Sequence, residues 1–337
     1  GGVDSSLAAL LLRDAGPEVV GVFMRNGVSG DGPAQAKTCC SASDARDAAS
    51  VADRLGVPFY AVDHAAEFGR LMDHFAAEYR RGRTPNPCVL CNQDLKFGHL
   101  FTLAAAVGAD CVATGHYARV LDGQLRRARD ADKDQTYYLF GVDRSSLGRV
   151  RFPLGDLLKA EVRRRASAAG LVTADKPESM EICFVTSGDY RDVVRGRGGA
   201  GRAGVFLDGE GNVVGEHQGV SGFTVGQRRG LPALGKPHYV QEIRPDTGEV
   251  VLCERDGLLR NGALVRGVNW LVDPTQEEVA QVKVRARSPA TPARIQVDDQ
   301  DPTVARVGFD EAVHAVTPGQ AAVFYRGEVV LGGGWID

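Results

Sequence analysis

GGVDSS, at residues 1–6, is the stretch that decides how the first half of the chain folds. The residues after it have the apolar spacing of a helix over residues 5–15, which begins at two serines, both good cap residues, and ends at Gly16 and Pro17. Glycines let the backbone approach a ligand, serine hydroxyls can donate, and a helix N-terminus presents N–H groups and a positive dipole end. The stretch therefore predicts a phosphate-binding loop, with a plain turn and helix cap as the alternative. It is not a Walker loop, because no Gly-Lys-Ser/Thr follows.

Strand-like and helix-like segments alternate up to about residue 150. Strands are expected at residues 19–24, 57–62 and 111–114, and helices at residues 44–55, 64–81, 94–107 and 156–169. Alternation of this kind predicts an α/β domain, in which helices cover both faces of a parallel sheet.

The second half differs, because glycine and proline punctuate short β-rich runs. Residues 195–204 are rich in Gly and Arg and predict a mobile loop or linker. A small β-rich middle region is expected, with strands at residues 213–214, 239–243 and 250–253. From Gly262 onward closely spaced strands predict a small antiparallel β-barrel, at residues 263–270, 278–286, 293–297, 303–307, 320–325 and 329–331. We therefore expect three domains, at residues 1–196, 197–261 and 262–337.

Composition excludes several classes of protein. The 337 residues are 43% apolar and 25% charged, which rules out a disordered or fibrous chain. The longest uncharged apolar runs, such as residues 7–12, are far shorter than the roughly 20 residues of a membrane span. A net charge of −3 does not indicate nucleic acid globally, so any basic surface must be local. Seven cysteines without a signal peptide argue against a disulfide framework, and we expect a soluble intracellular protein in which thiols, catalysis or metal explain them.

The most informative cysteines lie in RTPNPCVLCN, at residues 83–92. Two prolines flank Asn86, so the backbone is expected to be rigid and non-helical until a helix begins near Asp94. Cys91 would then precede a helix N-terminus, where the dipole lowers the pKa of a thiol. Zinc is a weaker interpretation of this CxxC, since no second ligand pair has conventional spacing.

A further cysteine, Cys183, lies in KPESMEICF, at residues 176–184, beside a loop that contains a lysine. Buried structural cysteines are common, and the remaining four are interpreted mainly in that way: Cys39, Cys40, Cys111 and Cys253.

Together, these stretches resemble the bacterial tRNA-specific 2-thiouridylase (MnmA) family, within the PP-loop ATP pyrophosphatases, over nearly the whole chain. Four more segments match: ATGHYAR at residues 113–119, KDQTYYL at 133–139, FTVGQRRGL at 223–231 and PGQAAVFY at 318–325. In that family the loop follows a buried central strand and a leading serine. The expectation is therefore that the sequence is truncated, that the gene product has about ten more residues, and that the shorter form is poorly stable because neighbouring strands are left unpaired.

The resemblance implies an α/β PP-loop domain, a central β-rich tRNA-binding domain and a C-terminal barrel. It also implies that ATP adenylates the C2 oxygen of a wobble uridine and that sulfur then displaces AMP. The implied ATP contacts are Gly1, Gly2, Val3, Asp4, Ser5, Ser6, Met24 and Gly115. Asp4 would approach the pyrophosphate through Mg²⁺, because an unscreened carboxylate would repel it. For Met24 an ordinary core role is the alternative.

By motif position, the resemblance makes Cys91 the nucleophile and Cys183 the carrier of a persulfide, with a Cys91–Cys183 disulfide left for a reductant to open. Some family members carry Asp where this chain has Cys88, which puts a general-base role at that position in doubt. The cysteine allows a second chemistry, a [4Fe–4S] cluster held by Cys88, Cys91 and Cys183. The persulfide is the favoured interpretation.

The resemblance also implies contacts to tRNA, at Asn86, Pro87, Cys88, His116, Lys133, Asp134, Gln135, Arg285 and Gln320. Asn86, Pro87 and Cys88 would line the flipped-out target base, and two segments of net charge +3, residues 191–204 and 221–244, would hold phosphates. The expected partners are tRNAs for Lys, Glu and Gln and a cysteine desulfurase or sulfur relay, in the cytoplasm and without a membrane. Rival interpretations are another PP-loop synthetase and a non-catalytic tRNA-binding or sulfur-carrier protein.

Overall fold

The computed structural model describes residues 2–27, 42–178, 182–185 and 188–337. It forms two compact units, Gly1–Arg70 with Cys88–Asp189 and Leu71–Pro87 with Tyr190–Asp337. Gly1, Cys39 and Cys40 lie outside the described residues. Within the described part, no helix is both long and apolar enough to cross a membrane.

The first unit alternates helices and strands. In chain order its elements are α1 (Val3–Asp14), β1 (Gly21–Arg25), α2 (Ala42–Leu55), β2 (Phe59–Asp63), α3 (Ala65–Arg80, whose last turns belong to the second unit), α4 (Pro87–Leu90), a π-helix (Cys91–Gly98), α5 (His99–Ala106), β3 (Val112–Ala113), β4 (Arg119–Leu121), β5 (Gln124–Arg126), β6 (Val150–Arg151) and α6 (Lys159–Ala168). Strands β1 and β2 pair in parallel, as do β3 and β6, while β4 and β5 form an antiparallel hairpin. The predicted α/β class is confirmed.

Helix α1 supplies the core of this unit. Val3, Leu7 and Leu10 are buried on one face, where they pack with Val162 and Ala166 of α6. The helix begins earlier than residue 5, because Gly2 is its N-cap and Val3 is already helical. It ends as expected, with Gly16 in the left-handed region at φ 101°.

The segment that carries Cys88 and Cys91 differs from the prediction. A helix begins at Pro87, continues through the π-helix and runs on as α5, so the expectation of non-helical backbone up to Asp94 was wrong. Proline is well tolerated at the first position of a helix, where its N–H would have no helical partner and its fixed φ suits the helix. The second proline of the motif therefore starts this helix.

The second unit is mainly β-structure. Its elements are α7 (Tyr190–Gly196), β7 (Gly204–Leu207), β8 (Val213–His217), β9 (Tyr239–Arg244), β10 (Glu249–Cys253), β11 (Leu259–Trp270), β12 (Glu277–Lys283), β13 (Thr291–Val297), β14 (Ala305–His314), β15 (Ala321–Arg326) and β16 (Val329–Ile336). The first four strands form a sheet in the order β8-β7-β10-β9. Helix α7 covers the start of the expected linker, and glycines at positive φ follow it at 198, 199 and 201.

The last six strands form an antiparallel barrel in the order β11-β14-β13-β12-β15-β16, and pairing of β11 with β16 closes it. Exposed and buried residues alternate along β12, as a strand with one face on a core requires. Closure brings two backbones close together, because a Cβ on Gly332 would lie 2.4 Å from the carbonyl oxygen of Asn269. The predicted small barrel is confirmed.

Candidate active site

The phosphate-binding loop is the first turn of α1. Gly2 caps the helix in an extended conformation, and both serine hydroxyls donate to its carbonyl oxygen, Ser5 at 3.1 Å and Ser6 at 2.9 Å. The hydroxyls therefore bond back into the helix, whereas the N–H groups of the first turn point outward from its end, as helix geometry requires. Val3 is buried in the core, so only its backbone can meet a ligand. The loop offers backbone donors and a dipole to an anion.

Gly115, which follows β3 closely, packs directly against this turn. A Cβ at residue 115 would lie 2.6 Å from the backbone nitrogen of Ser5 and 2.7 Å from the carbonyl carbon of Asp4. Only glycine fits there without a shift of backbone. Met24 lies near the end of β1, half-buried and opposite Val62 of β2.

Asp4 meets a lysine that the sequence analysis missed. The Nζ of Lys159, at the start of α6, lies 2.8 Å from both carboxylate oxygens of Asp4, and the Tyr117 hydroxyl donates to one of them at 2.9 Å. Burial and then the Asp4 charge raise the pKa of Tyr117, so its hydroxyl stays protonated as a donor. The two partners are 155 and 113 residues from Asp4 in sequence, which is why no local pattern indicated them.

Glu178 extends this group of charges. Its carboxylate lies 2.7 Å from the Nζ of Lys133, 3.0 Å from that of Lys159 and 3.9 Å from the guanidinium of Arg163. Partial burial works to raise the pKa of Glu178, but hydrogen bonds from Lys133 and Lys159 outweigh it and the pKa is lowered. Glu178 belongs to the quoted cysteine stretch, yet nothing in the stretch indicated its partners. We call Asp4, Lys133, Lys159, Arg163 and Glu178 the Lys159 cluster.

The loop that contains Lys133 is organised by its own side chains. The Asp134 carboxylate accepts from the Thr136 hydroxyl at 2.8 Å and from the Ala128 N–H at 3.1 Å, and only 5% of this side chain is exposed. The Gln135 side-chain oxygen accepts from the N–H of Tyr117 at 2.8 Å. Asp134 and Gln135 thus hold the loop in shape, and their contact with RNA stays a prediction.

The two cysteines of the Pro-bracketed motif lie near the start of the continuous helix. Both are half-buried, Cys88 in the first turn and Cys91 at the first residue of the π-helix. Cys91 therefore does not precede a helix N-terminus, and the position predicted for it was wrong. A π-helical segment is rare and is frequent at functional sites. Asn92, which follows, is buried and donates to the Tyr138 carbonyl at 3.0 Å.

Cys183 is half-buried and precedes Phe184, whose ring packs edge-on to Phe68 at 5.8 Å between centroids. Among the described residues, no three His, Cys, Asp or Glu side chains are grouped closely enough to hold a metal ion. Cys88, Cys91 and Cys183 do not form a ready-made set of cluster ligands.

His116 lies in an apolar stack with Phe97 and Phe152. Burial and then the Lys96 charge lower its pKa well below 6.5, so the ring is neutral at pH 7. The Lys96 ammonium can only donate, and it lies 3.4 Å from Nε2, which makes Nε2 the acceptor and leaves Nδ1–H to donate to the Thr114 hydroxyl at 2.8 Å. Contact of His116 with tRNA stays a prediction.

In the second unit, the barrel holds the segment that leads into the cysteine motif. Thr84 donates its N–H to the Pro318 carbonyl at 2.8 Å, and its own carbonyl accepts from the Gln320 side chain at 2.8 Å. Asn86 and Pro87, which follow, are both buried. Gln320 thus positions this segment.

Arg285 is also engaged within the barrel unit, since its guanidinium donates to the Val225 carbonyl at 2.9 Å and to the Thr317 hydroxyl at 2.6 Å. For Arg285, as for Asn86, Pro87 and Gln320, contact with RNA stays a prediction.

Three family models match the chain in succession. They are described as the tRNA methyl transferase HUP domain over residues 1–187, the tRNA methyl transferase PRC-barrel domain over residues 192–254 and the aminomethyltransferase β-barrel domain over residues 260–336.

Several relatives align with this chain over its whole length. The tRNA-specific 2-thiouridylase MnmA of Rhodopirellula baltica is 45% identical, and 94% of its own length is covered. The proteins of the same name from Rhodospirillum centenum and Carboxydothermus hydrogenoformans are each 44% identical, with 89% and 95% of their lengths covered. On the strength of these matches, the chain belongs to the MnmA family of tRNA-specific 2-thiouridylases.

Proposed function

We propose that this protein thiolates tRNA. ATP adenylates the C2 oxygen of the wobble uridine with release of pyrophosphate, and sulfur then displaces AMP to give 2-thiouridine. The observation that carries the proposal is the first turn of α1 with Asp4 held by Lys159, an anion-binding helix end with a cation beside it, in a chain whose whole-length relatives are named for this reaction. Of the predicted ATP contacts, Gly2, Val3, Asp4, Ser5, Ser6 and Gly115 converge at this turn.

Mg²⁺ would be held at the loop by the Asp4 carboxylate. Mg²⁺ beside nucleotide phosphates is usually held by one or two carboxylates, and both Asp4 oxygens are available to polar partners, since in this structure they accept from the Lys159 ammonium. When bound there, Mg²⁺ would neutralise charge on the phosphates. The chain's own contribution is the backbone donors of the loop and the ammonium of Lys159, which favour negative charge on a leaving pyrophosphate.

Sulfur transfer is assigned to the two cysteines. The outer sulfur of a Cys183 persulfide attacks C2 of the adenylated uridine, the C2–O bond breaks, and AMP leaves with the electron pair. The Cys91 thiolate then attacks the Sγ of Cys183 and breaks the S–S bond, so that the outer sulfur stays on the uridine. A Cys91–Cys183 disulfide remains, and an external thiol reduces it.

The tRNA is expected to present its wobble base out of the stack, since C2 is inaccessible within a stacked loop. Buried Asn86 and Pro87 and half-buried Cys88 are proposed to line the base, and His116, Lys133, Asp134, Gln135, Arg285 and Gln320 to contact or shape the surface around it. Lys, Glu and Gln isoacceptors as substrates, a cysteine desulfurase or relay as donor, and a cytoplasmic location complete the proposal.

Thiolation is favoured over the methyl transfer named in two of the family descriptions, because the motif places two cysteines three residues apart with a third further on. A [4Fe–4S] route remains the alternative. We derive no step through a cluster, because the three thiols are not grouped as ligands in the described part of the chain.

The test is ATP-dependent thiolation of tRNA by anaerobically purified protein, with AMP, pyrophosphate and iron measured together. Cys91→Ser and Cys183→Ser should each abolish thiolation, while pyrophosphate release in the presence of tRNA persists. Cys111→Ser is the matched control, because this cysteine is exposed, contrary to the buried role expected for it, and lies outside the motif. Binding of tRNA without AMP release would identify a non-catalytic protein instead. About four irons per chain, lost together with activity in Cys88→Ser, would establish the cluster route.

A further inference from the structure

Thr84 lies two residues before Asn86 and is only 9% exposed, and each of its hydrogen-bonding groups has a partner. Its N–H donates to the Pro318 carbonyl at 2.8 Å, and its carbonyl accepts from the Gln320 side chain at 2.8 Å. Its hydroxyl donates to that of Thr224 at 3.3 Å. Two separate segments of the second unit, at residues 318–320 and at residue 224, therefore hold one buried residue in place.

Gly319 packs against the same backbone. Its φ is 88°, and a Cβ at this residue would lie 2.9 Å from the Thr84 nitrogen and 3.0 Å from the Cβ of Arg83. Arg83 is itself bonded, since its guanidinium donates to the Glu78 carboxylate at 2.9 Å and to the Ile336 carbonyl at 3.0 Å. The chain is therefore fixed at residues 83 and 84, just before the residues proposed to line the base.

Few backbone bonds can rotate between Thr84 and the base-lining residues. Pro85 and Pro87 flank Asn86, and the ring of each proline fixes one backbone dihedral angle. All three residues are buried, which leaves them little room to adjust. A displacement of Thr84 is therefore passed on to Asn86 and Pro87, because the bonds between them cannot absorb it.

We propose that Thr84 is a positioning residue for thiolation: with Gln320 and Thr224, it sets the conformation in which Asn86 and Pro87 receive the target base. The proposal rests on the proposed function, which brings the wobble uridine to these residues. Thr84 is buried and acts through its neighbours. Misplacement of reacting atoms by about 1 Å can cost two orders of magnitude in rate. Loss of these bonds should therefore lower the rate at saturating tRNA and leave the affinities for tRNA and ATP unchanged.

Single-turnover thiolation at saturating ATP and tRNA, with tRNA affinity measured by filter binding, tests this. Thr84→Val keeps the β-branched shape and removes the hydroxyl, and its rate should fall about threefold, while Thr84→Ser stays within about twofold of the native rate. Gln320→Ala should be at least about tenfold slower. The affinity for tRNA should stay within about twofold in each variant. Because Thr84 and Thr224 share one bond, combining Thr84→Val with Thr224→Val should be no slower than the slower single variant.

The barrel offers matched controls. Gln276→Ala removes a bond of the same kind, from a side-chain amide to the Val297 carbonyl, and should keep the native rate. Gly319→Ala and Gly327→Ala both place alanine at positive φ, but nothing lies within 4 Å of the Cβ added at residue 327. Slower thiolation in Gly319→Ala alone would therefore report the contact with Thr84. Urea unfolding of each variant shows whether a loss of rate comes from a loss of fold.

Two results would overturn the proposal. Native single-turnover rates in both Thr84→Val and Gln320→Ala would show that the bonds of Thr84 do not position the base. Weaker tRNA binding by Gln320→Ala, with a native rate at saturation, would assign Gln320 to contact with RNA instead.

Amide hydrogen exchange of residues 83–92 separates this proposal from the proposed function, because it needs neither tRNA nor ATP. Exchange should be faster in Thr84→Val and Gln320→Ala than in the native protein and Gln276→Ala. If the native protein does not thiolate tRNA, the proposed function is wrong, and exchange alone decides whether Thr84 holds this segment. If thiolation is found and the variants change exchange but not rate, the positioning role is wrong and the function stands.

Discussion

Two lysines of the first unit each lie between two carboxylates, and their surroundings differ. The Nζ of Lys176 is 2.5 Å from Asp44 and 2.5 Å from Asp47, both on α2. Lys159 contacts Asp4 and Glu178 at 2.8 and 3.0 Å. Measured by distance alone, the two groups are alike.

Their charge balance is not alike. In the pairs named, one cation serves two carboxylates at Lys176. At Lys159 three cations, with Lys133 and Arg163, meet three carboxylates, those of Asp4, Glu178 and Asp130, the last of which accepts from the Lys159 N–H at 2.8 Å. The first arrangement ties α2 to the segment of residues 174–178 and favours no anion. The second has no net negative charge in the pairs named, and it lies beside a helix end that attracts anions. The charge balance and the adjoining helix end, rather than the presence of an ion pair, separate a binding site from a structural ion pair.

Removing each lysine gives the largest contrast. Lys159→Met should lower kcat/KM for thiolation by at least about 100-fold, because a group that stabilises charge on the leaving pyrophosphate is lost. Lys176→Met should stay within about threefold of the native protein, since its group attracts no anion. Single-turnover thiolation at saturating tRNA measures both. Equal losses in the two variants would remove the distinction drawn here.

Gly115 tests how tightly the loop beside the Lys159 cluster is packed. Gly115→Ala places a methyl group 2.6 Å from the Ser5 nitrogen, and strain of this kind should destabilise the protein by roughly 2–3 kcal/mol and reduce activity. Gly148→Ala is the control, because nothing lies within 4 Å of the Cβ it would add. Urea unfolding gives both values. A native-like midpoint for Gly115→Ala would show that the loop can move aside.

The ion pairs of Lys176 with Asp44 and Asp47 should contribute to the free energy of unfolding. Lys176→Met removes the ammonium 2.5 Å from Asp44, a side chain only 5% exposed, and should cost about 1 kcal/mol of the free energy of unfolding. Lys236→Met breaks an exposed pair with Glu254 and should cost less than about 0.5 kcal/mol. Thermal and urea unfolding at low and high salt compare the two. If Lys176→Met lowered the free energy of unfolding no more than Lys236→Met does, the ion pairs of Lys176 would not be needed for stability.

The smallest effect concerns pH. Burial lowers the pKa of His116, and also that of His64 and His217, below 6.5. The unfolded chain therefore binds protons that the folded chain does not, and stability present above pH 6.5 is lost as the pH falls. Between pH 7 and pH 6 we expect each of these histidines to contribute a loss of up to about 0.7 kcal/mol, and the contribution of His116 to be absent in His116→Gln. Lys159→Met and Lys176→Met remove no histidine and should show the same slope as the native protein.

Periodicity explains which parts of this fold could be predicted. Strand β12 alternates exposed and buried residues, and α1 repeats its apolar residues every three or four positions, so each pattern reports one face of one element. Pro87 was misread because proline stops a helix in its interior but starts one at its first position. Proline can therefore mark either the end or the start of a helix, and only its place in the folded structure decides which.

The site was only partly predictable, for a different reason. The motif indicated Asp4, and the contact that gives it a cation comes from Lys159, 155 residues away. Nothing in the sequence around Lys159 or around Glu178 predicts that these side chains lie beside the loop. Ion pairs between distant residues depend on how helices pack, and α1 packs on α6 through apolar side chains. These ion pairs could therefore be predicted only once the packing of α1 on α6 is known.

The bonds that hold residues 83 and 84 also bear on how the protein is completed on the ribosome. Thr84 is bonded by the side chain of Gln320, 236 residues later, and Arg83 by that of Asp337, 254 residues later. Domains generally fold in order of synthesis, the N-terminal one first. The segment that leads into Cys88 therefore lacks these anchors until residues 320 and 337 have been synthesised. Ordering of the residues just before the cysteine motif is thus expected to follow synthesis of the last barrel strands.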